Sequence, residues 1–137
     1  MAEETNNYVD KRESVSIAFE ILNNLCKLYE KKIDIKKYFF DNNINSVAIY
    51  GAGVVGRHLY AALDVAGMQP KYYIDRKAKD LNLHIEEMVL DVPDNYPQID
   101  ALIVSVPKYF FEVESEMHLL MPDVEIVSVE WIFDYLF

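Results

Sequence analysis

Three glycines stand at G-x-G-x-x-G spacing in Gly51-Ala52-Gly53-Val54-Val55-Gly56, directly after the apolar run Val47-Ala48-Ile49-Tyr50. Glycine is the residue that turns sharply and lets other backbone approach. At this spacing each glycine has its own task. Gly51 turns the chain as it leaves a strand, Gly53 leaves the backbone open to a phosphate, and Gly56 lets a helix pack against the sheet. Val55, Leu59, Ala62, Leu63 and Ala66 then recur at helical steps. Gly67 stands where a helix C-terminus takes glycine, and Pro70 prevents continuation. The pattern predicts a strand, a phosphate-binding turn and a helix over residues 54–66. The helix's free N–H groups and its dipole favour an anion at the turn.

Asp75 ends the next apolar segment, residues 71–75, roughly 20 residues beyond the turn, as a dinucleotide-binding fingerprint requires. There it is a candidate acceptor for both ribose hydroxyls of an adenosine. Arg76 and Lys77 follow at once and suit a 2′-phosphate, so NAD and NADP both remain open. Arg57, just after the third glycine, is a candidate phosphate ligand. Residues 101–106 form a continuous apolar run, the pattern of a strand buried on both faces of a parallel sheet. Ser105, Val106 and Pro107 fall at its carboxyl end, where open α/β sheets hold their ligands, and Lys108 and Tyr109 come next. The candidate ligand-binding set is therefore Gly51, Ala52, Gly53, Val54, Val55, Gly56, Arg57, Asp75, Arg76, Ser105, Val106 and Pro107.

Further segments complete the alternation: a charged turn at 76–80, a short edge strand at 87–90, a helix at 109–120, a strand at 124–128 and an aromatic-rich helix at 129–137. Alternating strands and helices predict an α/β fold. The expected architecture is a three-layer, Rossmann-like, doubly wound parallel sheet over residues 45–137, with an α-helical N-terminal extension over 1–44. Residues 1–10 are polar and predicted to fray, and Asp10 with Glu13 has capping-box spacing. Val15, Ala18, Phe19, Leu22, Leu25, Cys26 and Tyr29 then recur at steps of three and four. They predict one apolar stripe, with Ile21 and Leu28 beside it and Cys26 in the core. A short helix at 35–41 follows. The width of this apolar surface, and of the segment ending at Phe137, predicts a homodimer.

The formal net charge is −10, which argues against nucleic acid and anionic membrane surfaces as partners. No apolar run approaches the roughly 20 residues of a membrane helix, and the polar N-terminus has no signal-peptide core. One cysteine precludes an internal disulfide and fits a cytoplasmic location. His58, His84 and His118 lack partners at metal-ligand spacing, so no metal is expected. Tyr60 is followed four residues on by Asp64, not by the lysine of a short-chain dehydrogenase pair, and Ser105 lies in no nucleophile elbow. No catalytic residue is assigned.

From Val47 onward the chain resembles the small Rossmann domains of bacterial polysaccharide-biosynthesis proteins. These are the N-terminal domains of membrane-anchored nucleoside-diphosphate-sugar dehydratases and epimerases, and of sugar acetyltransferases. The resemblance is carried by the stretch from Val47 to Arg57, by Tyr73-Ile74-Asp75, by Asp100-Ala101-Leu102-Ile103-Val104-Ser105 and by Ile126-Val127-Ser128. It implies a nucleotide, nucleotide-sugar or CoA-like ligand and a polysaccharide-biosynthesis partner. No catalytic domain like the one that follows in those proteins is expected here. The expected function is accordingly a non-catalytic sensor or accessory module. Two alternatives stand beside it: a small oxidoreductase or sugar-nucleotide enzyme completed by a partner subunit, and an interaction module with a vacant pocket.

Overall fold

A computed structural model describes residues 2–137, with side chains described from Lys11 onward. Strands β1 (Val47–Tyr50), β2 (Tyr73–Ile74), β3 (Val89–Leu90), β4 (Ala101–Val104) and β5 (Glu125–Ser128) form one sheet among the described residues. Every pairing is parallel, in the order β3-β2-β1-β4-β5. The chain leaves β1 for β2 on one side and returns to β4 on the other. The carboxyl ends of β1 and β4 therefore flank the point where strand order reverses, the crevice in which open parallel sheets bind ligands. All four residues of β1 and of β4 are buried, as a central parallel strand requires.

The sheet is flanked by helices α1 (Ala2–Glu30), α2 (Lys36–Asp41), α3 (Val54–Val65), α5 (Phe110–Leu120) and α6 (Val129–Leu136), with a single turn, α4 (Ala78–Leu81), after β2. Side-chain alternation divides the core in two. Val47, Ile49, Tyr73, Ile103 and Val127 pack with Leu59 and Leu63 of α3, Ile132 and Phe133 of α6, Tyr38 and Phe39 of α2, and Ile21 and Leu28 of α1. Ala48, Tyr50, Ile74, Leu102 and Val104 pack with Phe110, Val113 and Met117 of α5. The N-terminal helices thus share a core with the sheet. The charged turn expected at 76–80 runs into α4, which buries Ala78; Leu81 at its end and Ile85 beyond it pack against the same core.

Ends of elements follow local chemistry. Gly67 adopts φ 88° beyond α3 and its N–H bonds Asp64 O at 3.0 Å, while Met68 N–H bonds Leu63 O at 2.8 Å. This is a Schellman closure. Ser128 caps α6 by accepting from Glu130 N–H at 3.3 Å.

Two readings of the N-terminal helix are corrected. It does not start at Asp10: α1 runs from Ala2. Its buried face is also not the predicted stripe. Ile21 and Leu28 are the buried residues, flanked by half-buried Ile17, Ala18 and Leu25, whereas Val15, Phe19, Cys26 and Tyr29 are exposed. Two apolar stripes run along α1 about one residue apart, and periodicity alone does not say which one the sheet takes.

Candidate functional site

The turn after β1 is held by groups from three strand ends. Gly51 has φ +98°, a conformation that side chains disfavour, and its N–H donates to Ile74 O at 2.8 Å. Asp75, at the end of β2, accepts from Ala52 N–H through Oδ2 at 2.9 Å. Its Oδ1 accepts from Lys77 N–H at 2.9 Å. Ser105, just past β4, donates its hydroxyl to Tyr50 O at 2.8 Å and lies 3.3 Å from Gly51 O. Ser105 is 4% exposed, so these bonds satisfy a hydroxyl that burial would otherwise penalise. A Cβ at Gly56 would fall 1.8 Å from Gly51 O, so only glycine lets α3 approach the turn.

Gly53 differs from its two partners. A Cβ there would meet nothing within 4 Å. It is the N-cap of α3, in extended conformation, with no side-chain cap bond. The first-turn amides of a helix have no intrahelical acceptors. They stand beside a cavity of about 360 Å3, within the size range of small-molecule sites. Gly51, Gly53, Val54, Val55, Gly56, Asp75, Ser105, Val106 and Pro107 all line it. The fold thus gathers most of the sequence candidates around one space.

Three candidates lie outside that lining. Ala52 is buried, with its N–H turned to Asp75. Arg57 is exposed and folds its Nε toward Gly53 O at 3.3 Å. Arg76 pairs with both carboxylate oxygens of Glu116 on α5. It lines a separate cavity of about 280 Å3 with Tyr50, Tyr109 and Glu112. Burial raises the pKa of the Tyr50 hydroxyl there, opposed by the nearby Arg76 charge. Arg76 is thus neutralised by Glu116.

The sequence candidates also omit one wall. That wall is Ser14, Ile17, Ala18 and Ile21 of α1, whereas Lys108 and Tyr109, which the sequence offers as pocket residues after Pro107, do line the cavity from the 3-10 turn Pro107–Tyr109. Lys108 Nζ lies 3.5 Å from Glu13 Oε2. The signal for the α1 wall was present as Ser14, Ile17/Ala18, Ile21, Leu25 and Leu28 at helical steps, beside a longer and more aromatic stripe. Among the described residues no group of three or more His, Cys, Asp or Glu is placed to hold a metal. No helix of the described residues is long and apolar enough to cross a membrane.

No protein-family model matches the chain, and comparisons with curated proteins and with solved structures find no match.

Proposed function

We propose that this chain is a three-layer, doubly wound, Rossmann-like domain that binds a nucleotide-containing ligand at the glycine turn, as a non-catalytic sensor or accessory module. One observation carries the reading. The α3 N-terminus is uncapped by any side chain, and Gly53 opens onto a cavity at the strand-order reversal. A phosphate seated there accepts from backbone amides and meets the positive end of the helix dipole. NAD or NADP is the first expectation, with CoA and nucleotide-sugars sharing the same diphosphate chemistry. The Arg76–Glu116 pair favours NAD, because a 2′-phosphate has to displace a carboxylate to reach Arg76. The spare lone pairs of Asp75 are available to ribose hydroxyls.

Calorimetry against ADP, NAD, NADP, CoA and a nucleotide-sugar tests the reading. Saturable binding to the wild type that is lost in Gly53→Val supports it. No binding by any of the five removes it. The polysaccharide-biosynthesis setting rests on the sequence resemblance alone. The exposed thiol of Cys26 suits a reducing compartment such as the cytoplasm.

A second proposal concerns partners. Val15, Phe19, Leu22, Cys26 and Tyr29 follow a 4-3-4-3 step along α1, the spacing of a coiled-coil seam. Val15 and Phe19 are 68% and 69% exposed, and Tyr29 is 87% exposed, while Leu22 is half-buried and the neighbouring stripe of Ile21 and Leu28 is committed to the core. We assign this seam to a second copy of the chain.

A further inference from the structure

Seven of the ten net negative charges fall in residues 109–137, which hold no lysine or arginine. That stretch builds α5, α6 and β5, the edge strand of the sheet. It also exposes large rings. Phe111 on α5 is 77% exposed, and Trp131 on α6 is 46% exposed. The buried ring of Phe110 joins them, its centroid 5.6 Å from that of Phe111 and 4.8 Å from that of Trp131. The exposed rings thus form one patch across α5 and α6.

Residues 129–137 expose three rings, and two of them carry a lysine. Lys37 Nζ stands 5.7 Å from the Tyr135 centroid and pairs with Asp41 at 2.6 Å. Lys31 Nζ stands 5.4 Å from the Phe137 centroid. Among the described residues no cation stands over Trp131, although tryptophan is the best ring for one. Asp134 follows Trp131 by one helical turn, and Glu130 precedes Asp134 by four residues. Both carboxylates are exposed and have no ion-pair partner among the described residues. Like charges at that spacing destabilise a helix. The chain's own cations therefore leave this aromatic face and its carboxylates unserved.

We propose that the face formed by Phe111, Trp131, Glu130 and Asp134 docks a basic, arginine-bearing segment of a partner protein. A planar guanidinium stacks on an indole and gives parallel hydrogen bonds to a carboxylate, the two groups that Trp131 and Asp134 present together. Lys37 over Tyr135 beside Asp41 is the same arrangement closed within the chain. Tryptophan and arginine also dominate the energetics of protein interfaces. Charge selects against other occupants. A second copy would set these carboxylates against themselves, and nucleic acid or anionic lipid would be repelled. None of the four residues lines the main cavity, so the docking does not depend on the ligand at the glycine turn.

Hexa-arginine is the probe, titrated at low ionic strength. Trp131 is the only tryptophan of the chain, so its fluorescence reports this face. Calorimetry gives the affinity for the wild type, for Trp131→Leu and for Glu130→Gln with Asp134→Asn. Glu86→Gln with Glu87→Gln is the control, since those exposed carboxylates lie beside β3 at the other edge of the sheet. Saturable binding with a changed Trp131 signal is expected. The Glu130/Asp134 variant should bind about five- to tenfold weaker, the reach of two exposed pairs. Trp131→Leu should bind about two- to fivefold weaker, the loss of an exposed cation–π contact. The Glu86/Glu87 variant, with the same change in net charge, should bind like the wild type. Hexa-lysine should bind more weakly than hexa-arginine. Circular dichroism verifies that each variant is folded, and the Glu130/Asp134 variant carries the test if Trp131→Leu is not. No saturable binding, or binding that leaves Trp131 fluorescence unchanged, overturns the inference. An equal loss in the Glu86/Glu87 variant, which is attraction to overall charge alone, also overturns it, as does hexa-lysine binding as tightly as hexa-arginine. A wild-type dimer that Trp131→Leu dissociates gives the face to a second copy and overturns it as well.

Discussion

A side chain at Gly56 would meet the Gly51 carbonyl oxygen at 1.8 Å, whereas one at Gly53 would meet nothing within 4 Å. The two glycines of one motif therefore separate stability from binding. Gly56→Ala drives a methyl into backbone that the Ile74, Asp75 and Ser105 bonds hold in place. It should cost about 3 kcal/mol or more, in the range of severe packing or strain defects, measured as a shift in the urea midpoint. Gly53→Val should leave that midpoint nearly unchanged, since its backbone is extended and its surroundings are open. It should weaken ADP binding at least about tenfold, a loss of about 1.4 kcal/mol. Equal destabilisation by both substitutions would contradict the assignment of Gly53 to the ligand. Ser105→Ala tests the clamp on the turn. It removes the hydroxyl bond to Tyr50 O and should cost about 1 kcal/mol without creating a charge defect. The glycines were legible in the sequence because each is demanded by local backbone geometry. The fate of Arg76 was not, because its partner, Glu116, lies on a helix 40 residues further along the chain.

Helix α1 shows how far periodicity reaches. Hydrophobic spacing correctly predicts a long amphipathic helix, yet two apolar stripes wind along it and the sheet takes the less aromatic one. The selection comes from what α1 rests on. Ile21 lies at the cavity beside the glycine turn, and Leu28 enters the core shared by α3, α6 and the sheet. The bulky Phe19 and Tyr29 are left outside. Substitutions on the two faces should therefore behave oppositely. Ile21→Asp buries an unpaired carboxylate and should cost about 3–5 kcal/mol, visible as loss of the cooperative unfolding transition. Phe19→Asp should leave thermal unfolding within about 0.5 kcal/mol of wild type, as for an ordinary surface site. It should also shift sedimentation equilibrium from dimer to monomer. A wild-type protein that sediments as a monomer at micromolar concentration removes the proposed seam, and a Phe19→Asp protein that fails to fold reassigns it to the core.

The two halves of the core are held to the sheet by tyrosines as well as aliphatic residues, and this sets a limit on alkaline stability. Tyr72 is 1% exposed and donates its hydroxyl to Pro97 O at 2.6 Å. Burial, aided by nearby Tyr96, raises its pKa from 10.0 to about 12. Tyr73 is raised in the same direction, again by burial first. A raised folded-state pKa means that the neutral form is the one the fold accepts. The stability contributed is whole below pH 10 and is lost as pH climbs toward the folded value. For Tyr72 the loss is on the order of 2 kcal/mol. Urea unfolding at pH 8 and pH 11 should show a marked fall in the wild type. Tyr72→Phe should be about 1 kcal/mol less stable at pH 8, for want of the bond to Pro97, and should show a shallower fall between the two pH values. An equally steep fall would assign the alkaline loss to other groups.

The order of the five strands and of every helix but the short α4, the position of the turn, the closure at Gly67 and the buried character of residues 101–104 were all determined by the sequence alone. Each depends on neighbours within a few residues: a glycine where φ is positive, a proline where a helix must stop, an apolar run long enough for one strand. The all-parallel order β3-β2-β1-β4-β5 fits the same alternation. Tertiary structure decided the rest of the site. It chose which face of α1 is buried, laid that helix over the cavity, turned Asp75 back onto the Ala52 amide, and brought Glu13 to Lys108 and Glu116 to Arg76. These are pairings between segments far apart in the chain. Several partners of the right charge or size were available to each group, and only the packing of the whole sheet with its helices selects among them.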